Sequence, residues 1–133
     1  MAALAECGLP LDPALTVAGA DSRAAAYTAT RRLLAAAEPP TALLSASDRG
    51  AVAAIAAARE VGVPVPGRLA VAGMGNAPEG AVITPALTTV GIDRLDFAPV
   101  VGRLFERIEA SEPPDGTRLE LPWQLIVRDS TVH

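Results

Sequence analysis

Apolar and polar positions along the chain change rhythm several times, and the most informative stretch lies between Pro40 and Asn76. Thr41-Ala42-Leu43-Leu44-Ser45-Ala46 is a short apolar run bounded by Pro39-Pro40 and by Ser47-Asp48, the pattern of a strand covered on both faces. A helix over 48–61 follows, with Ser47 or Asp48 to accept the unpaired amide hydrogens of its first turn and Gly62 to stop it. A second apolar run, Leu69-Ala70-Val71-Ala72, comes after Val63-Pro64-Val65-Pro66-Gly67. The result is a strand, helix, strand unit. Parallel strands joined by a helix place the loops after their carboxyl ends along one edge, where open α/β sheets bind ligands. Residues 45–49 and 73–80 are therefore the candidate site loops.

On either side the pattern is less regular. Residues 1–7 read as the tail of a helix that stops at Gly8, since Pro10 and Pro13 forbid its continuation. Leu15-Thr16-Val17-Ala18 is a strand candidate, and Asp21 or Ser22 caps a helix running to about residue 37. In that helix Tyr27, Thr30, Leu33, Leu34 and Ala37 share one face. The helix over 48–61 is aliphatic at nearly every position, so it can bury two sides, one on the sheet and one against another surface such as a second subunit. Residues 73–80 are too rich in Gly and Pro for more than one helical turn. Leu87-Thr88-Thr89-Val90-Gly91-Ile92 predicts a strand, and Phe97, Val100, Val101, Leu104, Phe105 and Ile108 then form the stripe of an amphipathic helix, with Asp96 as its cap and Pro99 in its first turn. Residues 111–116 form a linker, and 117–127 read as a closing strand pair with Pro122 at a bulge or boundary.

Composition narrows the class. The 133 residues suffice for one domain, and hydrophobic residues make up half of them while aromatics make up 3%, which suits helices packed on a sheet. A net charge of −4, with all basic residues being Arg and only Arg31-Arg32 adjacent, argues against a nucleic-acid surface. Cys7 has no partner for an internal disulfide, the amino terminus lacks a signal-peptide pattern, and no apolar run could span a bilayer, so a cytoplasmic protein is expected.

An enzyme reading is weak. Gly73-Met74-Gly75 follows a strand and Asp93 stands downstream as in a dinucleotide site, but Pro78, Gly80 and Pro85 break the helix that would hold the pyrophosphate. The lone His is His133, and Cys7 has no base beside it. No catalytic residue, metal site or cofactor is expected.

Several separated motifs carry a more specific signal. Leu4-Ala5-Glu6-Cys7-Gly8-Leu9-Pro10, the segment 27–34, Pro40 through Asp48, Val65-Pro66-Gly67-Arg68-Leu69-Ala70-Val71-Ala72-Gly73, Thr84-Pro85-Ala86-Leu87-Thr88-Thr89-Val90 and Leu121-Pro122-Trp123-Gln124-Leu125-Ile126-Val127-Arg128-Asp129-Ser130-Thr131 occur in an order and spacing that resemble the effector-binding domain of LacI/GalR transcription regulators. The resemblance covers nearly the whole chain. It implies an α/β fold, a three-layer Rossmann-like parallel sheet with helices on both faces, equal to one half of a type I periplasmic-binding-protein-like domain. It further implies a single C-terminal effector-binding and dimerisation subdomain over 1–133, with the helix-turn-helix headpiece and most of the N-terminal subdomain outside these residues. In such proteins the helix bearing Phe97 to Ile108 crosses back to the N-terminal half.

The same resemblance assigns site residues. Ala46, Ser47 and Asp48 match an Ala-Asn-Asp turn whose Asn reaches the effector, although capping alone would explain Ser47 and Asp48. Gly75 stands where the family has a sugar-binding Asp, which leaves Asn76 or Glu79 to substitute. Asp21 lies near an aromatic-platform position and Arg94 at another cleft position; a helix cap and a solvated charge are their plainer roles. Val52, Ile55 and Ile83 match the dimer interface, with the sheet as the competing destination of Val52 and Ile55. The implied partners are a sugar or related polyol, a second copy in a homodimer, and DNA only through the absent headpiece. A stand-alone or periplasmic-type binding module with no DNA role is the alternative.

Overall fold

The computed structural model describes residues 2–18, 22–93, 97–110, 116 and 120–132. Its elements are α1 (Ala2–Glu6), a 3-10 turn (Pro13–Leu15), α2 (Arg23–Leu34), β1 (Ala42–Leu44), α3 (Asp48–Glu60), β2 (Ala70–Met74), α4 (Pro78–Val82), β3 (Thr88–Gly91), α5 (Ala98–Glu109) and β4 (Gln124–Ile126). The strands form one four-stranded sheet in the order β1-β2-β3-β4, parallel except for β4. This is the α/β class that the strand, helix, strand pattern predicts, and it has the extent of the half-domain that the resemblance implies.

Apolar burial on one face holds the layers together. Leu43 pairs with Val71, and Gly73 with Thr89, so these side chains share the inward face, over which α3 packs. Ala51, Ala54, Ile55 and Ala58 of α3 close on Val71, Leu69 and Leu87 to form the core. Alanine lets the helix approach closely. The second buried side of α3 meets α2 through Ala26, Thr30 and Leu33, so that side of the helix is covered within the chain. Tyr27 donates a hydrogen bond to Glu60 across the rim of this helix pair, and Arg31 pairs with the same carboxylate at 3.3 Å.

The closing segment after β4 works as a wedge between the parallel strands. Ser130 is fully buried; its backbone N–H donates to Ala86 O and its C=O accepts from Val71 N, each at 2.9 Å, which adds a rung where β2 and β3 do not yet pair directly. Its hydroxyl donates to Val71 O at 2.6 Å and accepts from Thr88 N at 2.8 Å. Thr88 Oγ1 in turn donates to Arg128 O and accepts from Arg128 N.

Several expectations need correction. Leu15-Thr16-Val17-Ala18 forms no strand: the 3-10 turn takes Leu15, and residues 16–18 find no neighbouring strand to bond. β1 is an edge strand with Leu44 70% exposed, so it is not covered on both faces. The α2 helix ends at Leu34, three residues short of the sequence reading, and within 117–127 the described residues form the single strand β4. The proposed cap Asp96 lies outside the described residues, and Phe97 occupies the cap position of α5 without a side-chain bond.

The α5 stripe is unpartnered as its pattern suggests. Phe97, Val100, Val101, Leu104, Phe105 and Ile108 are all exposed. Leaving such side chains in water forgoes about 1.5–3 kcal/mol each relative to full burial.

The wedge generates a stability prediction. Ser130→Ala removes the hydroxyl partner of both Thr88 N and Val71 O in a dry position, and is expected to lower the unfolding free energy by about 2 kcal/mol. Urea unfolding measures this, and a change within error would show that the backbone rung alone secures the wedge.

Candidate functional site

The carboxyl ends of β1, β2 and β3 meet at one edge, and the loops leaving them contain most of the sequence-predicted site residues. Ser47 leaves β1 in extended conformation, and its Oγ accepts from Gly50 N at 3.1 Å, so it caps α3. The hydroxyl proton stays available to a ligand, and the residue is exposed.

Asp48 has a different fate. It is 2% exposed, Oδ1 accepts from Thr89 Oγ1 at 2.6 Å, and Oδ2 accepts from Ala77 N at 2.5 Å. Its position in the first turn of α3 also favours a negative charge, because unpaired amide hydrogens and the helix dipole converge there. Both oxygens are thus spent on joining α3 to β3 and to the loop after β2. Asp48 builds the edge from within.

Gly75 and Asn76 form a sharp turn after β2. Gly75 has φ 126° and Asn76 has φ 56°, both in the left-handed region. Gly75 N donates to Val90 O at 2.8 Å, and Asn76 N donates to Thr89 Oγ1 at 3.3 Å. The Asn76 carboxamide is also engaged, with Nδ2 donating to Ile92 O at 2.9 Å and Oδ1 accepting from an Arg128 guanidinium N–H at 2.8 Å. The turn rests directly on Gly91, where a Cβ would come within 2.8 Å of Asn76 N. Gly75 itself is exposed, with its N–H committed to Val90 O.

The remaining candidates divide. Asp21 and Arg94 lie outside the described residues. Glu79, in the first turn of α4, reaches Arg23 at 3.8 Å across a largely exposed gap, a pairing of little energetic weight. Ile55 belongs to the core at 6% exposure, while Val52 and Ile83 are half-buried against that core. Only Val52 and Ile83 of these three keep surface for a partner. A concavity of about 280 Å³ lies at the opposite, amino edge of the parallel strands, lined by Ile55, Arg59, Val63, Val65 and Pro85 among others. It is remote from the carboxyl-edge loops.

Thr89 and Arg128 enter the site without having been singled out in the sequence. The cue for Thr89 is the Thr88-Thr89 pair inside a predicted strand, since buried hydroxyls must find partners. Nothing local marks Arg128, whose contacts lie at 2.7 Å to Leu87 O and 2.8 Å to Asn76 Oδ1, far away in sequence. Among the described residues every buried side-chain nitrogen or oxygen is hydrogen-bonded, and no His, Cys, Asp and Glu cluster could hold a metal ion. No helix among them is long and apolar enough to cross a membrane.

Comparison with known proteins places this geometry. The pattern of the periplasmic binding protein-like domain matches residues 1–131. Catabolite control protein A of Priestia megaterium is 31% identical over 129 residues, which are 97% of this chain and 39% of that protein. The structure of a LacI-family transcriptional regulator from Sanguibacter keddieii superposes with a TM-score of 0.83 at 32% identity, over 99% of this chain and 51% of that one. A complex of the transcriptional regulator CelR with cellobiose gives a TM-score of 0.79 at 29% identity, over 97% of this chain and 39% of that one. The chain therefore spans about two fifths to one half of the proteins it matches.

The Asp48 network yields a second prediction. Asp48→Ala strands the Thr89 hydroxyl and the Ala77 N–H, and is expected to cost about 2–4 kcal/mol, whereas Asp48→Asn keeps an acceptor for one of them and costs about half as much. Chemical denaturation of both variants checks the order; equal losses would mean that the carboxylate's two contacts do not act separately.

Proposed function

Since the chain belongs to the periplasmic binding protein-like domain family, we propose that it is the effector-sensing part of a LacI-type transcription regulator. Its task is to bind a small molecule, with no chemical step. The observation that carries this reading is the hydrogen-bonded Gly75-Asn76 turn and the exposed Ser47, on neighbouring loops at the carboxyl ends of adjacent parallel strands. That edge is where open α/β sheets receive ligands.

The effector class is a sugar or related polyol, as in the CelR complex with cellobiose. Asp48 and Asn76 are spent internally, so this half contributes the Ser47 hydroxyl and the backbone at Gly75, and further ligand contacts come from the N-terminal half of the effector domain. In this reading that half also covers the α5 stripe, and a helix-turn-helix headpiece in front of it contacts DNA. The acidic chain itself, at net charge −4, binds no operator. The active species is a homodimer in the cytoplasm, paired along α3 and the turn at Ile83, with Val52 and Ile83 at the contact.

A thermal-shift screen of disaccharides, monosaccharides and polyols against the protein carrying both halves of the effector domain tests the assignment. One of them, cellobiose being the first to try, is expected to raise the melting temperature by about 2–5 °C at millimolar concentration, because binding to the native state alone stabilises it. Ser47→Gly, which keeps most of the capping energy, is expected to reduce that ligand-induced shift by at least about half. A folded protein whose melting curve is flat across the whole panel would overturn the sugar-effector assignment.

A further inference from the structure

We propose that Arg128 is the positioning residue of the effector edge: it acts on a bound molecule through Asn76 and does not touch that molecule itself. This role presupposes that the carboxyl edge is the effector site. Asn76 is held at φ 56°, a backbone conformation that side chains other than glycine resist. Asn is often tolerated there because its carboxamide bonds nearby backbone. Here the carboxamide instead bridges two distant elements. Its Nδ2 donates to Ile92 O at the end of β3, and its Oδ1 accepts from the Arg128 guanidinium beyond β4.

Arg128 is well placed for the task because both of its ends are anchored. Its backbone N–H donates to Thr88 Oγ1 at 2.8 Å, its C=O accepts from the same hydroxyl at 2.9 Å, and its guanidinium donates to Leu87 O at 2.7 Å. The side chain is half-buried, which limits its alternatives. A guanidinium N–H makes a charge-assisted bond stronger than a neutral donor would, so Asn76 Oδ1 is held at a fixed point. From below, the turn has no slack, since a Cβ at Gly91 would come within 2.7 Å of Asn76 Cβ. The turn is thus clamped between Gly91 on one side and Arg128 on the other. Gly75, which is exposed at the edge, takes its orientation from its neighbour Asn76.

A simpler role for Arg128 would be to tie the closing segment to β3 through Leu87 O, with no special effect on the turn. Amide hydrogen exchange in the wild type, Arg128→Gln, Asn76→Gly and the double variant separates the two. Arg128→Gln is expected to speed exchange at Gly75, Asn76 and Ala77 by about tenfold while the core amides of α3 stay within about twofold. Asn76→Gly is expected to keep the turn, because glycine is at ease at positive φ, and to make Arg128→Gln silent there. Equal acceleration in both backgrounds, or acceleration spread evenly through α3, overturns the positioning role; should Arg128→Gln not fold, Arg128→Lys is read by the same criteria. For a sugar that passes the thermal-shift screen, Arg128→Gln is expected to weaken affinity about fivefold, and the double variant to match Asn76→Gly alone. If no sugar binds, the effector assignment fails by itself, and the exchange pattern still decides whether Arg128 holds the turn.

Discussion

A single buried carboxylate sets the geometry on which the carboxyl edge depends. Asp48 begins α3, and its two oxygens reach the Thr89 hydroxyl in β3 and the Ala77 amide after β2. Three consecutive segments of the strand, helix, strand, strand succession are thereby fixed to one point. Burying an ionised group is costly unless it is fully hydrogen-bonded, and here the hydroxyl, the amide and the favourable end of a helix dipole supply that compensation. The same compensation withdraws the carboxylate from any ligand. A residue whose sequence position suggests recognition thus serves construction.

At the other end of the sheet the closing segment plays the matching part. Ser130 stands between β2 and the approach to β3, completing hydrogen bonds where the two strands have not yet come together. Arg128, two residues earlier, carries its guanidinium to the turn at Asn76. The amino and carboxyl ends of the parallel pair are therefore linked by one short stretch of chain. Such a link lets a sheet of short strands hold its loops steady, as a preorganised binding edge requires.

The open surfaces follow from the same architecture. Helix α3 covers the inward face of the sheet and α2 packs on α3, while Leu44 and Leu125 remain exposed on the other face, and the apolar stripe of α5 faces solvent. An α/β sheet with exposed leucines on its outer face and a helix whose apolar stripe faces solvent, as seen among the described residues, is the expected appearance of half of a two-part fold. The extent of the match to catabolite control protein A, 39% of its length, agrees with that appearance.

The sequence by itself determined the order of the main elements, the α/β class, the capping sites at Asp21-Ser22 and Ser47-Asp48, of which the structure selects Ser22 and Ser47, and the stripe of α5, because these depend on neighbours within a few residues. It also placed Ser47, Asp48, Gly75 and Asn76 at one edge, since strand direction alone puts them there. It failed at 15–18 and at the outer face of β1, because a strand exists only if another strand completes its hydrogen bonds, and local composition does not say whether one is present. Only the tertiary structure decided which polar groups remain free for a ligand. Asp48 and Asn76 look equally available in the sequence, and their side chains lose that availability to Thr89, Ala77, Ile92 and Arg128, partners 16 to 52 residues away. Hydrogen-bond satisfaction in a buried site is settled by whichever groups the fold brings within 3 Å of one another, and that distance is not written in the spacing of residues along the chain.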